Sequence, residues 1–333
     1  MWIMLVLILP PTAWWLWENS RRETHPVAPG HRPEITLPHE QEFELYHNAL
    51  SLCSMKSRLC MAELGIPYKG HHIDLIETGS YENISRNFLR VNPAGTVPVL
   101  VHNGHPIYES HEQIRYAADF APAGHAGLMP RDTALRETME RWIDLSSITE
   151  DPLEHGQQSA GNAIPGLTVP LFAAMIEQIP YYKIFEGALF HFDKRRPLMF
   201  TALKARGIEA LGQLRTAVAI HARSRRQMAT HLDALERQLE QSGGPWILGD
   251  FYSLADVSWL VIFERLVQVD SLQVFLGDTS AREHCTAYWA ALRQRPAYRE
   301  AILDHSHPTI QFGTERLKAA KAANPALREA LGG

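Results

Sequence analysis

The stretch Ser51 to Arg58, "SLCSMKSR", carries a hydroxyl, a thiol and two cations at the predicted start of a helix that follows a short strand. The N-terminus of a helix offers free backbone N–H groups and the positive end of the helix dipole. A hydroxyl at this position can donate a hydrogen bond to a bound thiolate, and a thiol at this position favours its own thiolate form. Ser51 and Cys53 are therefore the candidate catalytic residues. The alternatives are a simple helix cap for Ser51 and a small apolar core residue for Cys53.

Two further segments of the sequence are candidates for ligand binding. Glu109 and Ser110 fall where a predicted strand feeds a helix N-terminus, which binds carboxylates readily, although serine is also an ordinary helix cap. Pro98 interrupts a strand-like run, so it either begins an edge strand or follows a cis peptide bond. A cis bond would leave the N–H and C=O of Val97 free to pair with an extended peptide.

The elements that hold these residues follow a β-α-β-α-β-β-α order. We predict strands at Phe43 to His47 and His71 to Leu75, and a helix that ends at Gly65. Asn103-Gly104 predicts a two-residue hairpin turn. The next helix, from Ser110 to Phe120, has a serine and a glutamine in capping-box spacing.

The composition of the chain argues against several classes of function and of site. The chain has 333 residues and a net charge of -5, with no basic face suited to nucleic acid. Its three cysteines lack C-x-x-C spacing and its 17 histidines form no metal-binding motif, so we predict neither disulfides nor a metal site.

The first 17 residues, "MWIMLVLILPPTAWWLW", carry no charged side chain, and Arg21 and Arg22 follow closely. They predict an anchor that spans or lies on a membrane, with a cytoplasmic body. A misassigned start codon is the alternative. Residues 18–40 have no apolar period and predict a linker.

From Phe43 to Phe120 the chain resembles the thioredoxin-like domain of the cytosolic glutathione transferases. "NPAGTVPVL" is similar to the family's cis-proline region and "YES" to its γ-glutamyl-binding motif. "SLCSMKSR" resembles the zeta-class motif and, more closely, that of the tetrachlorohydroquinone reductive dehalogenases. "GPWILGDFYSLADVSWLVIFERL" resembles the family's helical domain, in which Ser253 and Asp256 cap a core helix.

The resemblance implies an α/β plus all-α fold: a thioredoxin-like domain at 41–122, a helical domain at 130–312 with an atypical insertion at about 151–206, and a helical tail at 313–333. The insertion somewhat resembles the membrane-attached ganglioside-induced differentiation-associated proteins. The resemblance also implies glutathione as co-substrate and a homodimer. Ser51 would stabilise the glutathione thiolate for attack on a hydrophobic electrophile, and Val97, Pro98, Glu109 and Ser110 would bind glutathione.

Two other functions stay open from the sequence. A glutathione-dependent reductase or dehalogenase would use Cys53 as a second nucleophile. A membrane-tethered binding module without enzyme activity would need neither Ser51 nor Cys53.

Overall fold

The structure is a computed structural model that describes residues 12–125, 127–149, 151–191, 195–277 and 281–332. Most of the predicted membrane segment, residues 1–11, lies outside this part. Residues 12–20 form a short helix, α1. Among the described residues, no helix is both long and apolar enough to cross a bilayer.

The N-terminal half is a five-stranded sheet with helices, and the two outer strands differ in how they pair. The sheet order is β1-β5-β4-β2-β3, in which β2 and β3 are parallel and the other neighbours antiparallel. The strands are β1 (Gly30–His31), β2 (Phe43–His47), β3 (Lys69–His72), β4 (Val99–His102) and β5 (His105–Tyr108), and the helices are α2 (Leu52–Leu64), α3 (Arg86–Val91) and α4 (Ser110–Ala118).

Local sequence explains most of these elements. β2 and the Asn103-Gly104 hairpin lie where they were predicted, and Gly65 ends α2 in the left-handed conformation. β3 begins and ends earlier than the predicted strand at His71 to Leu75, because its pairing with β2 fixes Lys69 opposite Glu44. The sheet register, rather than local apolar pattern, decides this boundary.

The second half is helical. Its elements are α5 (Thr133–Ser146), α6 (Ala160–Met175), α7 (Tyr181–Phe190), α8 (Arg195–Arg206), α9 (Arg215–Ser242), α10 (Leu254–Gln268), α11 (Leu272–Leu276), α12 (Glu283–Leu292), α13 (Pro296–Tyr298), α14 (Pro308–Ala323) and α15 (Pro325–Ala330). α10 is the central helix, and Trp259 at its middle is fully buried. The predicted α/β plus all-α fold is confirmed.

The start of α10 is held by the predicted capping pair. The backbone N–H of Ser253 donates to Asp256 Oδ2 at 2.8 Å, and the Ser253 hydroxyl donates to the same oxygen at 2.9 Å. Asp256 Oδ1 also accepts from the Ile247 N–H at 3.0 Å and from the Tyr288 hydroxyl at 2.9 Å. One buried carboxylate therefore ties three segments of the helical domain together.

We expect Asp256→Ala to lower the free energy of unfolding by about 3 kcal/mol, because it leaves buried donors on Ile247 and Tyr288 without an acceptor. Urea unfolding of the variant and of the exposed control Glu315→Ala measures this. A loss no larger than that of the control would contradict the role assigned to Asp256.

The segments predicted as an insertion and a linker both pack on the body. α7 and α8 share a second apolar core with α14 and α15, which includes Ile184, Phe200 and Leu317. Residues 18–40, predicted as a linker, contribute the edge strand β1. The helix α1 is joined to α7 by a hydrogen bond from Trp15 Nε1 to the Leu189 carbonyl at 3.3 Å.

Candidate active site

A buried asparagine, Asn48, helps to fix the loop between β2 and α2. Asn48 Nδ2 donates to the Ile73 carbonyl at 2.8 Å and to Thr78 Oγ1 at 2.9 Å, while its Oδ1 accepts from the Leu50 N–H at 2.8 Å. These bonds use the main hydrogen-bonding positions of the Asn48 side chain. The loop, and with it Ser51, therefore has a defined position.

Ser51 is the N-cap of α2. Its Oγ accepts from the Ser54 N–H at 3.2 Å, and its backbone is extended, with φ of -62° and ψ of 119°. Its hydroxyl donates to the Val97 carbonyl at 3.3 Å. That bond is longer than a usual O–H···O bond, and the hydroxyl proton can rotate to a better acceptor at little cost. Ser51 is thus both a cap and an available donor.

Pro98 follows a cis peptide bond, which confirms one of the two alternatives from the sequence. The edge-strand alternative is wrong, because β4 lies inside the sheet between β5 and β2. The Val97–Pro98 peptide bond is cis, and Pro98 immediately precedes β4, which begins at Val99. Val97 is partly exposed while Pro98 is buried. The structure therefore brings Ser51 and the Val97–Pro98 segment together, although 46 residues separate Ser51 from Val97.

Glu109 and Ser110 form the strand-to-helix junction, but not with the predicted cap. Glu109 is the N-cap residue of α4, with φ of 68°, and Ser110 is the first helical residue, with a buried side chain. The expected capping box between Ser110 and Gln113 is wrong, since no side chain caps α4. The backbone N–H groups of its first turn therefore stay available to a ligand.

Gln113 has a different function, which sequence reasoning missed. Its Nε2 donates to the carbonyls of Pro98 at 3.0 Å and Ile107 at 2.9 Å, and its Oε1 accepts from the Ser57 hydroxyl at 2.7 Å. One amide thus fixes the proline segment, β5, α4 and α2 relative to one another. The apolar residues around it in α4 gave no signal of this role, because all three partners are distant or on other elements.

Lys56 is the second residue whose place in the site was not predicted from the sequence. Its side chain is only 2 % exposed. Burial lowers the pKa of the Lys56 ammonium, while the nearby charges of Cys53 and Glu109 act to raise it. Lys56 follows Cys53 by three residues, and this spacing places both on one face of a helix. That spacing is the signal that could have identified it.

The electrostatics of the α4 N-terminus are mixed. Desolvation and the charge of Glu112 raise the pKa of the Glu109 carboxyl, although its side chain reaches solvent, and Lys56 opposes the shift. Burial lowers the pKa of His111 to about 4, with help from the charges of Lys56 and Arg115. His111 is therefore neutral at pH 7.

The three cysteines differ sharply. Cys53 is half-buried in the first turn of α2, whereas Cys60 and Cys285 are fully buried. Burial raises the pKa of the Cys60 and Cys285 thiols well above the ordinary range. Only Cys53 among them has the position of a reactive thiol.

We expect a thiol reagent to label one cysteine per native chain at pH 7, because Cys60 and Cys285 are inaccessible. Cys53→Ser should reduce labelling to near zero, and unfolding in guanidinium should expose three thiols in the wild type. Mass spectrometry of the labelled chain measures the sites. Labelling of Cys60 at a rate similar to that of Cys53 would contradict this.

The helical domain also makes hydrogen bonds that hold the loop before Ser51. The buried guanidinium of Arg265, on α10, donates to the Leu50 carbonyl just before Ser51. Arg58 donates to the Asn48 carbonyl at 3.0 Å and to the Ala301 carbonyl at 2.9 Å. The loop that carries Ser51 is therefore clamped between the two halves of the chain.

A cleft of about 740 Å³ runs along α5 and the start of α6. Five of its ten lining residues are charged: Arg136, Glu137, Glu140, Arg141 and Asp144. Arg115 of α4 reaches this cleft through a 2.9 Å hydrogen bond to Glu140. None of the six predicted site residues is among those that line it.

The family comparisons agree with this architecture. Residues 50–119 match the model of the glutathione S-transferase N-terminal domain, and residues 218–293 match that of the C-terminal domain. The first range contains Ser51, Val97, Glu109 and Ser110, and the second contains the Ser253 capping motif. The insertion helices α6 to α8 lie between the two matched ranges.

Individual proteins are similar over most of the chain. Glutathione S-transferase TCHQD of Arabidopsis thaliana is 28% identical over 259 residues, which covers 78% of this chain and 89% of that protein. Tetrachloro-P-hydroquinone reductive dehalogenase of Sphingobium chlorophenolicum is 24% identical, covering 78% and 95%. The fold matches the β-etherase LigF of Sphingobium sp. strain SYK-6 with a TM-score of 0.60 at 19% identity, covering 79% and 100%. With both family domains in order, the chain belongs to the glutathione S-transferase superfamily.

Proposed function

We propose that this chain is a glutathione transferase in which Ser51 stabilises the thiolate of glutathione for attack on an electrophile. The observation that carries the proposal is the hydrogen bond from the Ser51 hydroxyl to the Val97 carbonyl, because it joins the helix N-terminus to the segment suited to peptide pairing. Glutathione is the co-substrate of this family. Because the chain belongs to the family, we infer that it is an enzyme.

The binding mode follows from the geometry. The backbone N–H and C=O of Val97 would pair with the cysteinyl part of glutathione as in strand addition. The first turn of α4, with Ser110 and Glu109, would hold the γ-glutamyl end: the helix N-terminus suits its carboxylate and the Glu109 carboxylate suits its ammonium. Pro98 shapes the contact, and Gln113 positions it through the Pro98 carbonyl.

The chemistry needs little else from the chain. The Ser51 hydroxyl turns from Val97 to donate to the sulfur, so the thiol releases its proton to solvent more readily. The sulfur then attacks the electrophilic carbon, forms a C–S bond, and the leaving group departs with its electron pair.

A second reaction is favoured by the position of Cys53 and by the reductive dehalogenase relative. After the first glutathione addition, the Cys53 thiolate would attack the sulfur of the glutathionylated product. That step forms a Cys53–glutathione disulfide, and the product leaves with the electron pair and takes a proton. A second glutathione then reduces the disulfide and is released as oxidised glutathione, so the cycle balances.

One experiment separates these reactions. Full-length wild type and Cys53→Ser are given glutathione with an activated chloronitrobenzene, and separately with a chlorinated hydroquinone. A transferase forms the nitrobenzene conjugate at equal rates in both. A dehalogenase releases reduced hydroquinone only in the wild type, while Cys53→Ser accumulates the glutathionyl adduct. Glutathione binding without turnover of either compound would support the third function, a binding module.

We also propose that the protein acts on hydrophobic substrates at a membrane surface, with a cytoplasmic body, and that it forms a homodimer. α1 follows the apolar residues 1–11 in the sequence and exposes Trp14, Leu16 and Trp17, which suit a bilayer interface. Flotation of the full chain with phosphatidylcholine vesicles tests the attachment: wild type should float, and Trp14→Ser with Leu16→Ser should float less. Equal flotation of the two proteins would contradict the attachment.

Sedimentation equilibrium of the full chain tests the proposed homodimer.

A further inference from the structure

Two histidines and an aspartate meet on the surface, in a cluster that the transferase chemistry does not use. They are His72, Asp74 and His307, and one ligand atom from each lies within 4.8 Å of the other two. His72 Nε2 is 3.1 Å from Asp74 Oδ1, and the rings of His72 and His307 are parallel within 4°, with centroids 5.8 Å apart.

The three residues come from opposite ends of the chain. His72 is the last residue of β3, and Asp74 follows in the loop after it. His307 is the N-cap residue of α14, in the helical domain. The cluster therefore joins the glutathione transferase N-terminal domain to the C-terminal helices.

The backbone that carries Asp74 is held in place by its neighbours. The Asp74 N–H donates to Glu82 Oε2 at 2.9 Å, and the Asn83 N–H donates to the Asp74 carbonyl at 3.3 Å. A Cβ on Gly79 would lie 3.2 Å from Asp74 Oδ2, so a glycine keeps this side of the carboxylate open. The loop thus fixes the backbone position of Asp74, and His72 lies within hydrogen-bond distance of its carboxylate.

The set of donors is one that zinc prefers. Imidazole nitrogens and a carboxylate oxygen bind Zn²⁺ at about 2.0–2.2 Å, with water completing a tetrahedron. Ligand atoms around such an ion are roughly 3.3 Å apart, since the bond lengths fix the edges of the tetrahedron. The His72–Asp74 distance of 3.1 Å is close to this value. The ligand atoms lie within 4.8 Å of one another, so His307 has to approach by at most about 1.5 Å.

Neighbouring histidines do not compete for the same role. His47 packs edge-on against the rings of His72 and His305, but its Nδ1 lies 3.3 Å from Arg58 Nη1, which donates to it, and the residue is buried. His71, next to His72 in β3, points to the other face of the sheet, where it binds Glu44 at 2.6 Å.

We propose that His72, Asp74 and His307 form a zinc site that fastens the start of α14 to the edge of the sheet. This site is separate from the proposed catalytic residues and does not depend on them. Binding has one local cost. His307 Nδ1 accepts from the Thr309 N–H at 3.3 Å, and an imidazole that binds a metal through either nitrogen loses this acceptor.

The test uses the full chain and competition for Zn²⁺ with a chromogenic chelator. Wild type should take up one equivalent. His307→Asn keeps a side chain able to cap α14 but removes the imidazole. It and Asp74→Asn should each weaken the affinity by at least about 10-fold. His284→Ala is the matched control, because His284 pairs with Glu236 at 2.8 Å in a surface histidine–carboxylate pair outside the cluster. It should bind as wild type does.

Cobalt(II) distinguishes this site from the reactive cysteine. The Co²⁺ complex should show ligand-field bands without a thiolate charge-transfer band, and Cys53→Ser should leave its spectrum unchanged. Thermal unfolding in EDTA checks that each variant is folded. Three results would overturn the proposal: no competition by folded wild type, wild-type Zn²⁺ affinity in folded His307→Asn or folded Asp74→Asn, or a charge-transfer band that Cys53→Ser abolishes.

Discussion

Ser51→Asp should lower kcat/KM for glutathione conjugation by about 10²- to 10³-fold, while lowering the free energy of unfolding by no more than about 1 kcal/mol for the lost hydrogen bond to the Val97 carbonyl. Aspartate is as good an N-cap as serine, so the bond from the Ser54 N–H to residue 51 is kept. Its carboxylate cannot donate to the glutathione sulfur, and the loss of one donor to a catalytic anion typically has this size. Steady-state kinetics and urea unfolding measure the two effects separately.

Ser51→Thr is the matched variant, because it keeps both the hydroxyl and the cap. It should retain most of the activity. The account of Ser51 would be contradicted if the aspartate variant kept wild-type kcat/KM, or if the threonine variant lost as much activity as the aspartate variant.

Ser110→Ala should raise the Kd for glutathione by about 10- to 100-fold. Ser110 is buried at the first position of α4, and its hydroxyl would bind the γ-glutamyl carboxylate of glutathione. A hydrogen bond to a charged group contributes about 1.5–3 kcal/mol, and each 1.4 kcal/mol is about tenfold in Kd. Isothermal titration calorimetry with glutathione measures the change.

Ser159→Ala is the control for this change. Ser159 is also buried at a helix start, where its hydroxyl caps α6, but it lies in the helical domain. It should bind glutathione with wild-type affinity even if it costs some stability. An equal loss of affinity in both variants would mean that Ser110 acts only through folding.

The sequence predicts those features that short-range physics decides. The serine cap and glycine stop of α2, the Asn103-Gly104 hairpin and the Ser253–Asp256 capping box all depend on residues within a few positions of one another. Each can therefore be predicted from a single short stretch of sequence.

The remaining features depend on contacts between distant residues. Gln113 looked like half of a capping box, but its partners Pro98 and Ser57 come from elsewhere in the chain. Arg265 supports the Ser51 loop across 215 residues. The buried state of Lys56 depends on how α2 packs against its neighbours, which the local alternation of polar residues does not record.

The cluster of His72, Asp74 and His307 also depends on contacts between distant residues, so the sequence did not predict it. His72 and His307 form no short metal-binding motif because they are 235 positions apart, and only the docking of α14 beside β3 brings them together. A scan for short motifs predicts no metal site for this reason, even though the chain has 17 histidines.

The most direct test of the central claim is the ionisation of bound glutathione. The full chain is titrated with glutathione at pH 7 while the ultraviolet absorbance of the thiolate is followed, well past about 1 mM. A free thiol with a pKa near 8.5 is mostly protonated at this pH. We expect a saturable signal of one thiolate per chain, much reduced in Ser51→Asp. Folded wild type that gives no saturable signal, or binds glutathione as the thiol, would contradict it.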